Sequence, residues 1–75
     1  MEDMDEGKLY YDWETKRYVF YPKDGGRETP LHCGYTMDVY DNGKWIPTRI
    51  EMGQDWYLVG TDFRGADLEG LKVRF

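Results

Sequence analysis

Turn-forming residues interrupt this chain so often that few windows remain in which a helix of ordinary length could form. The 75 residues include nine glycines and three prolines. Glycine weakens a helix interior and proline breaks it. Between these interruptions the aromatic and β-branched residues cluster in short runs, which is the pattern typical of strands joined by turns. The sequence therefore predicts an all-β domain.

Six short segments carry the strand pattern. The strongest hairpin signal is Asn42-Gly43, because this pair supplies the positive φ angles of a tight turn. Pro47 cannot donate to a sheet ladder, so its strand is expected to be at an edge or bulged there. Residues 22–30 are predicted as a loop, and residues 67–70 as one helical or 3₁₀ turn. The predicted strands are 8–12, 17–21, 35–40, 44–51, 56–60 and 71–75.

Short strands joined mostly by hairpins form a meander, and an open meander of this size has two exposed edges. Curling the sheet into a barrel removes those edges. The sequence thus predicts a small five- to six-stranded antiparallel barrel, SH3-like or OB-like, with one short helical turn before the last strand. An open sheet with a short helix packed on it is the structural alternative.

Alternation along the strands predicts the core. Side chains at every second position of a strand point to the same face. Tyr18 and Phe20 are expected to join the core from the second strand, together with either Leu58 and Trp56 or Val59. The other predicted inward residues are Leu9, Tyr11, Met37, Val39, Ile46, Ile50, Leu71 and Val73.

The acidic charge of the chain is unevenly distributed. Residues 1–6 hold four of the fifteen acidic side chains, whereas residues 7–75 carry eleven acids against ten bases, a net charge of −1. We therefore expect an acidic, solvated leader at residues 1–6 and a single small β-barrel domain at residues 7–75. The formal net charge of −5 is then a poor guide to the partner.

Cys33 is the only cysteine and His32 the only histidine, which limits the available chemistry. No internal disulfide can form, and a structural zinc site needs more such ligands. No cofactor or metal is predicted. A lone cysteine fits a reducing compartment, no apolar run approaches the ~18 residues of a membrane span, and the acidic start is unlike a signal peptide. We expect a cytoplasmic protein that does not enter membranes.

Catalytic constellations are weak throughout the chain. His32 and Cys33 are neighbours in an extended segment and point to opposite sides, so they do not form a nucleophile–base pair; Cys33 is expected to be a small buried thiol. Asp55, Asp62 and Asp67 lie where turns favour aspartate and match no metal-loop spacing. No catalytic residue is predicted, and the chain is not expected to be an enzyme.

Outward-facing aromatic residues give the main functional signal. Trp45, Arg49 and Glu51 share one face of the predicted fourth strand, with Trp56 or Tyr57 opposite on the next. Aromatic and arginine side chains dominate protein-binding hot spots. With Lys44, Lys72 and Arg74, the same face could instead stack single-stranded nucleic acid. In a third interpretation, Trp45 covers a barrel end or packs under the 22–30 loop.

The order of several short motifs resembles a small bacterial family of domains of unknown function. The N-terminal part of this pattern is Gly7, Leu9-Tyr10-Tyr11-Asp12 and Arg17-Tyr18. The rest is Leu31-His32-Cys33-Gly34, Lys44-Trp45, Thr48-Arg49-Ile50-Glu51, Asp55-Trp56-Tyr57-Leu58-Val59-Gly60, Leu68, Gly70-Leu71 and Val73-Arg74. The resemblance implies a short single-domain protein carried on mobile elements of gram-positive bacteria.

The resembled family transfers no activity and no catalytic residue, but it implies a setting. Small acidic non-enzymatic proteins of mobile elements are often inhibitors of host defence. The expected function is therefore a non-enzymatic protein-binding module, an anti-CRISPR-like inhibitor of a host defence system, with Trp45, Arg49, Glu51, Trp56 and Tyr57 contacting a protein partner. The alternative is a nucleic-acid-binding small barrel. The oligomeric state is left open.

Overall fold

A computed structural model describes residues 5–75 and shows an all-β fold with one 3₁₀ turn, as predicted. Most of the acidic leader lies outside the described residues. The strands are β1 (Glu6–Asp12), β2 (Arg17–Pro22), β3 (Thr29–Pro30), β4 (Thr36–Asp41), β5 (Lys44–Met52), β6 (Trp56–Leu58) and β7 (Lys72–Arg74). The two-residue β3 lies in the segment predicted as a loop, which makes seven strands in place of five or six.

The strand order is β3-β2-β1-β7-β4-β5-β6, with every pair antiparallel. The strands therefore form two three-stranded meanders, β1–β2–β3 and β4–β5–β6, and β7 joins them by pairing with both β1 and β4. The expected single meander is wrong in this respect. The last strand satisfies two inner edges at once, and pairing between such distant segments leaves no local sequence signal.

The sheet curls into a half-barrel, which confirms the small barrel-like fold. Its open side is bridged by side chains from the two meanders. The indole Nε1 of Trp56 donates to the backbone oxygen of Lys16 at 3.1 Å, and the hydroxyl of Tyr18 donates to that of Gly65 at 2.8 Å. Gly65 begins the 3₁₀ helix Gly65–Leu68, which lies two residues before the predicted helical turn.

The concave side of the half-barrel holds the core. Of the predicted inward residues, Tyr11, Ile46 and Leu71 are partly buried and the others are buried. Trp56 and Leu58 enter the core in place of Val59, while Leu31 and Leu68 add contacts that alternation did not predict. The buried residues that form this core cluster are Leu9, Tyr18, Phe20, Leu31, Met37, Val39, Ile50, Trp56, Leu58, Leu68 and Val73. Each fully buried aliphatic side chain contributes about 1.5–3 kcal/mol.

Three local features follow from single residues. Asn42 and Gly43 adopt φ angles of 51° and 82°, the left-handed conformations that the predicted hairpin turn requires. Gly7 packs so closely on β2 that a Cβ atom there would overlap the carbonyl oxygen of Tyr21. Pro47 lies on a stretch of β5 flanked only by β4, because β6 pairs with β5 from residue 50 onward. This agrees with the predicted edge position.

The sheet begins before the predicted domain boundary at Gly7. Asp5 and Phe75 exchange backbone hydrogen bonds of 3.0 and 2.9 Å. Glu6 is the first residue of β1, and its carboxylate lies 3.2 Å from the Lys72 ammonium. Two residues assigned to the leader therefore belong to the domain. Within residues 5–75, no helix has the length and apolar character needed to cross a membrane.

Candidate binding surfaces

Trp45 lies on the convex side of the half-barrel and is half-buried there. It pairs with Tyr40 across β4 and β5, with ring centroids 5.0 Å apart in an edge-to-face arrangement. The Arg74 guanidinium lies 4.4 Å from the Trp45 ring centroid. Trp45 therefore neither fills the barrel end nor packs under the 22–30 loop. Together with Lys72, Tyr40, Trp45 and Arg74 form what we call the outer face.

The cations near Trp45 already have partners within the chain. Arg74 contacts the carboxylate of Asp38 at 3.0 Å, while Lys72 contacts Glu6 and also lies 4.7 Å from the Tyr40 ring centroid. Such partly exposed ion pairs contribute only about 0–1 kcal/mol each. Their main effect is to balance the charge of the outer face locally.

The structure divides the remaining predicted contact residues between the two sides of the sheet. Arg49 and Glu51 lie on the convex side and pair with each other at 2.8 Å, and Tyr57 is opposite Glu51 across β5 and β6. Trp56 points to the concave side and is only 9% exposed. The expectation that Trp56 joins the same surface as Trp45 is corrected, because successive residues of β6 point to opposite faces.

A second aromatic surface lies at the open side of the half-barrel. One cross-strand pair from each meander lines it: Tyr11 and Tyr18 from β1–β2, and Met52 and Trp56 from β5–β6. The depression has a volume of about 560 Å³, within the ~300–1,000 Å³ range usual for ligand sites. We call it the aromatic groove. Its principal lining residues are Tyr11, Trp13, Tyr18, Met52, Asp55, Trp56 and Glu69.

The rings of the aromatic groove are held in place by their polar ends and by each other. The hydrogen bonds of Trp56 and Tyr18 to opposite backbone segments leave their ring carbons to line the depression. Tyr11 packs edge-to-face against Tyr18 at 5.2 Å, and Trp13 against Tyr11 at 4.8 Å. Edge-to-face pairs of this kind contribute about 0.5–1.5 kcal/mol each beyond the area that they bury. The groove is therefore preformed.

Trp13 and Met52 expose apolar surface at the groove. Trp13 is 80% exposed and Met52 is 47% exposed. The sequence predicts a role for neither residue, because Trp13 lies between the predicted strands 8–12 and 17–21 and Met52 lies between 44–51 and 56–60. The available signal was the residue type: turns favour Gly, Asn, Asp and Ser, so an indole in a four-residue turn has no obvious local role.

The groove is negatively charged. Asp55 and Glu69 contribute carboxylates to its lining, and the lining contains no basic side chain. Burial, together with the negative charges of Glu69, Asp67 and Asp55, raises the pKa of the Tyr18 hydroxyl. Arg64 borders a separate, smaller depression that Asp55 also lines. Within residues 5–75, no ion pair reaches Asp55, Asp67 or Glu69.

The prediction that Cys33 is a buried thiol is wrong, because Cys33 is exposed. It lies in a turn that Gly34 completes with a φ of 87° and that the Tyr35 amide closes by donating to the backbone oxygen of His32. The Nδ1 atom of His32 contacts the Arg17 guanidinium at 2.9 Å, so this ring nitrogen accepts a hydrogen bond there.

In the described part of the chain, no cluster of three or more His, Cys, Asp or Glu side chains could hold a metal ion.

These features define a small all-β domain with a preformed aromatic groove at the open side of a half-barrel. The chain belongs to the family described as a domain of unknown function (DUF5348), whose model matches residues 7–75. The predicted membership of a small family of unknown function is thereby confirmed. No curated protein matches the chain.

A solved structure shows the same fold. The chain is similar to a protein from Ruminococcus gnavus whose crystal structure superposes with a TM-score of 0.80. The two sequences are 48% identical, and the match covers 93% of this chain and 99% of that one.

Proposed function

We propose that this chain is a non-enzymatic protein-binding module that holds a segment of its partner in the aromatic groove. The observation that carries the proposal is the exposure of Trp13, at 80%, beside a depression already lined by ordered aromatic rings. Tryptophan and tyrosine are enriched in binding hot spots because they bury much area at little entropic cost. A preformed groove lowers that cost further.

The proposed contact surface differs from the one predicted from sequence. On the outer face, Trp45 is covered by Arg74, and the nearby cations have carboxylate partners. A protein partner would have to displace these contacts before making its own. In the groove, Trp13 and Met52 expose apolar surface that a partner can contact without first breaking an ion pair. Trp56 belongs to the groove and is the one residue of the predicted set that does.

The experiment that tests this function is selection of a random peptide library on the immobilised domain. Trp13→Ala removes the exposed indole, and Tyr40→Ala on the outer face is the matched control because Tyr40 is also exposed, at 38%. Selected peptides should bind the wild type and Tyr40→Ala equally and lose about tenfold or more in affinity for Trp13→Ala. Peptides that are indifferent to Trp13→Ala would refute the groove as the binding site.

The biological setting we propose is the bacterial cytoplasm, where the protein would be encoded by a mobile element and inhibit a host defence system. The support is the single cysteine of the sequence and the family resemblance. Residues 7–75 carry eleven acids and ten bases, so we do not propose that the domain inhibits a nuclease by imitating the negative charge of nucleic acid over its whole surface. Phage plating on cells with a defence nuclease should rise with wild-type protein and not with Trp13→Ala.

Single-stranded nucleic acid is the second candidate ligand, and one observation favours it. Trp45, Tyr40, Lys72 and Arg74 form a contiguous aromatic and cationic cluster on the outer face. It ranks second because Lys72 and Arg74 contact carboxylates that a phosphate would have to replace. Fluorescence titration with short DNA and RNA strands at about 50 mM salt tests it, since electrostatic binding is strongest at low salt.

A further inference from the structure

The outer face contains a complete cation site made by the chain itself. The Arg74 guanidinium lies over the Trp45 indole at 4.4 Å and contacts the Asp38 carboxylate at 3.0 Å. An indole ring attracts a cation through the negative charge of its π face, and a carboxylate supplies the counter-charge. Ring, carboxylate and cation are thus all provided within one chain.

The aromatic groove contains the first two of these components without the third. Trp13, Tyr11 and Trp56 supply ring surface, and Asp55 and Glu69 supply carboxylates. No basic residue belongs to the lining, and within residues 5–75 neither carboxylate is in an ion pair. The same acids help to raise the pKa of Tyr18, which places their negative charge at the groove wall.

We infer that the partner segment inserts an arginine side chain into the aromatic groove, where its guanidinium stacks on an indole and its charge faces Asp55 and Glu69. This inference rests on the proposed protein-binding function and names the chemistry of the partner. Arginine suits the groove better than lysine, because a planar guanidinium can stack on an aromatic ring and donate two hydrogen bonds to one carboxylate. The groove volume of about 560 Å³ leaves room for the rest of the segment.

The probe that tests the inference is N-acetyl-arginine methylamide, with the citrulline analogue as its uncharged isostere. The indole N–H signals of the three tryptophans report on separate places: Trp13 and Trp56 on the groove and Trp45 on the outer face. In an NMR titration, the arginine compound should shift the Trp13 signal with a dissociation constant on the order of millimolar, as expected for a single side chain. The citrulline compound should leave it unchanged.

A charge-removing variant provides the matched control. Asp55→Asn with Glu69→Gln keeps the shape of both side chains, and the glutamine retains an oxygen that can accept the hydrogen bond from the Tyr11 amide. Both positions are exposed, so the domain should remain folded, as amide signals outside the groove will show. The affinity for the arginine compound should fall about tenfold. Unchanged affinity would overturn the inference.

The remaining outcomes separate this inference from the proposed function. An equal response to the citrulline compound, or a response confined to Trp45, overturns the arginine assignment. If library peptides bind in a Trp13-dependent way without arginine, the assignment fails and the protein-binding function stands; if no Trp13-dependent peptide exists, both fail. A Trp13 signal that moves with protein concentration alone would identify a second copy as the occupant and would also overturn the inference.

Discussion

The two aromatic surfaces of this domain use similar residues in opposite ways. On the outer face, Tyr40 and Trp45 contact each other and also contact Lys72 and Arg74, whose charges are balanced by carboxylates. In the aromatic groove, the polar ends of Tyr18 and Trp56 are hydrogen-bonded but Trp13 remains 80% exposed.

The difference shows that aromatic content alone does not locate a binding site. Side chains that satisfy one another stabilise a fold, and their removal changes the free energy of unfolding. Side chains left exposed contribute little to that free energy and remain available to a partner. Substitutions in the two regions should therefore separate stability from binding.

The largest effect on stability is expected at Trp56, which is part of both the core and the groove. Trp56→Ala removes a buried indole and its hydrogen bond to Lys16, and should lower the free energy of unfolding by about 3–5 kcal/mol. A domain of this size has roughly 4–11 kcal/mol in total, so the milder Trp56→Phe should accompany it. Urea denaturation measures both. A loss below about 1 kcal/mol for Trp56→Ala would contradict its place in the core.

An intermediate effect is expected on the outer face. Trp45→Ala removes a half-buried ring together with its contacts to Tyr40 and Arg74, and should cost about 1–2 kcal/mol. Peptide binding in the groove should not change. If Trp45→Ala left stability intact and abolished binding, the roles of the two surfaces would be reversed.

A smaller, pH-dependent effect is expected at Tyr18. Tyr18→Phe removes the hydrogen bond to Gly65, which should cost about 1 kcal/mol at neutral pH. Because the folded-state pKa of Tyr18 is raised above its unfolded value of 10.0, its stabilising contribution is complete below pH 10 and lost as the pH rises through the folded pKa. The difference between wild type and Tyr18→Phe in urea denaturation should therefore shrink above pH 10. A constant difference would contradict the raised pKa of Tyr18, which burial causes first and the neighbouring carboxylates second.

The smallest effect on stability is expected at Trp13. Since the indole is largely exposed, Trp13→Ala should change the free energy of unfolding by no more than about 0.5 kcal/mol. The same change should remove groove binding. Thermal denaturation and peptide titration on one preparation provide the comparison. A large loss of stability would mean that Trp13 stabilises the fold, which would contradict its proposed role in binding.

Local patterns predicted much of the fold. Alternation placed Leu9, Met37, Val39, Ile50 and Val73 in the core, where they are buried, because the two-residue period of a strand is a local property. The Asn42-Gly43 turn followed from backbone sterics in the same way. The position of β7 between the two meanders could not be predicted from local patterns, because β7 pairs with β1 and β4, which are far from it in the sequence.

The candidate site was harder to predict because it forms between distant elements. Trp13 sits in a turn of one meander and Trp56 in a strand of the other, and only the curl of the sheet brings them to one groove. Trp45 was correctly placed on the convex side, but its coverage by Arg74 depends on β7 lying beside β4. The exposure of Cys33 likewise depends on the turn closed by Tyr35 and Gly34, and the His32-Cys33 pair by itself does not predict that turn.

The central place of β7 has a consequence during synthesis. Translation proceeds from the N-terminus, so the strands of both meanders are synthesised before β7, the strand that joins them. Each must wait with an inner edge unpaired, and unpaired edges invite association with other chains. The domain should therefore acquire its native state only after β7 has been synthesised, and chains that stop before Lys72 should be more sensitive to protease than chains that include β7.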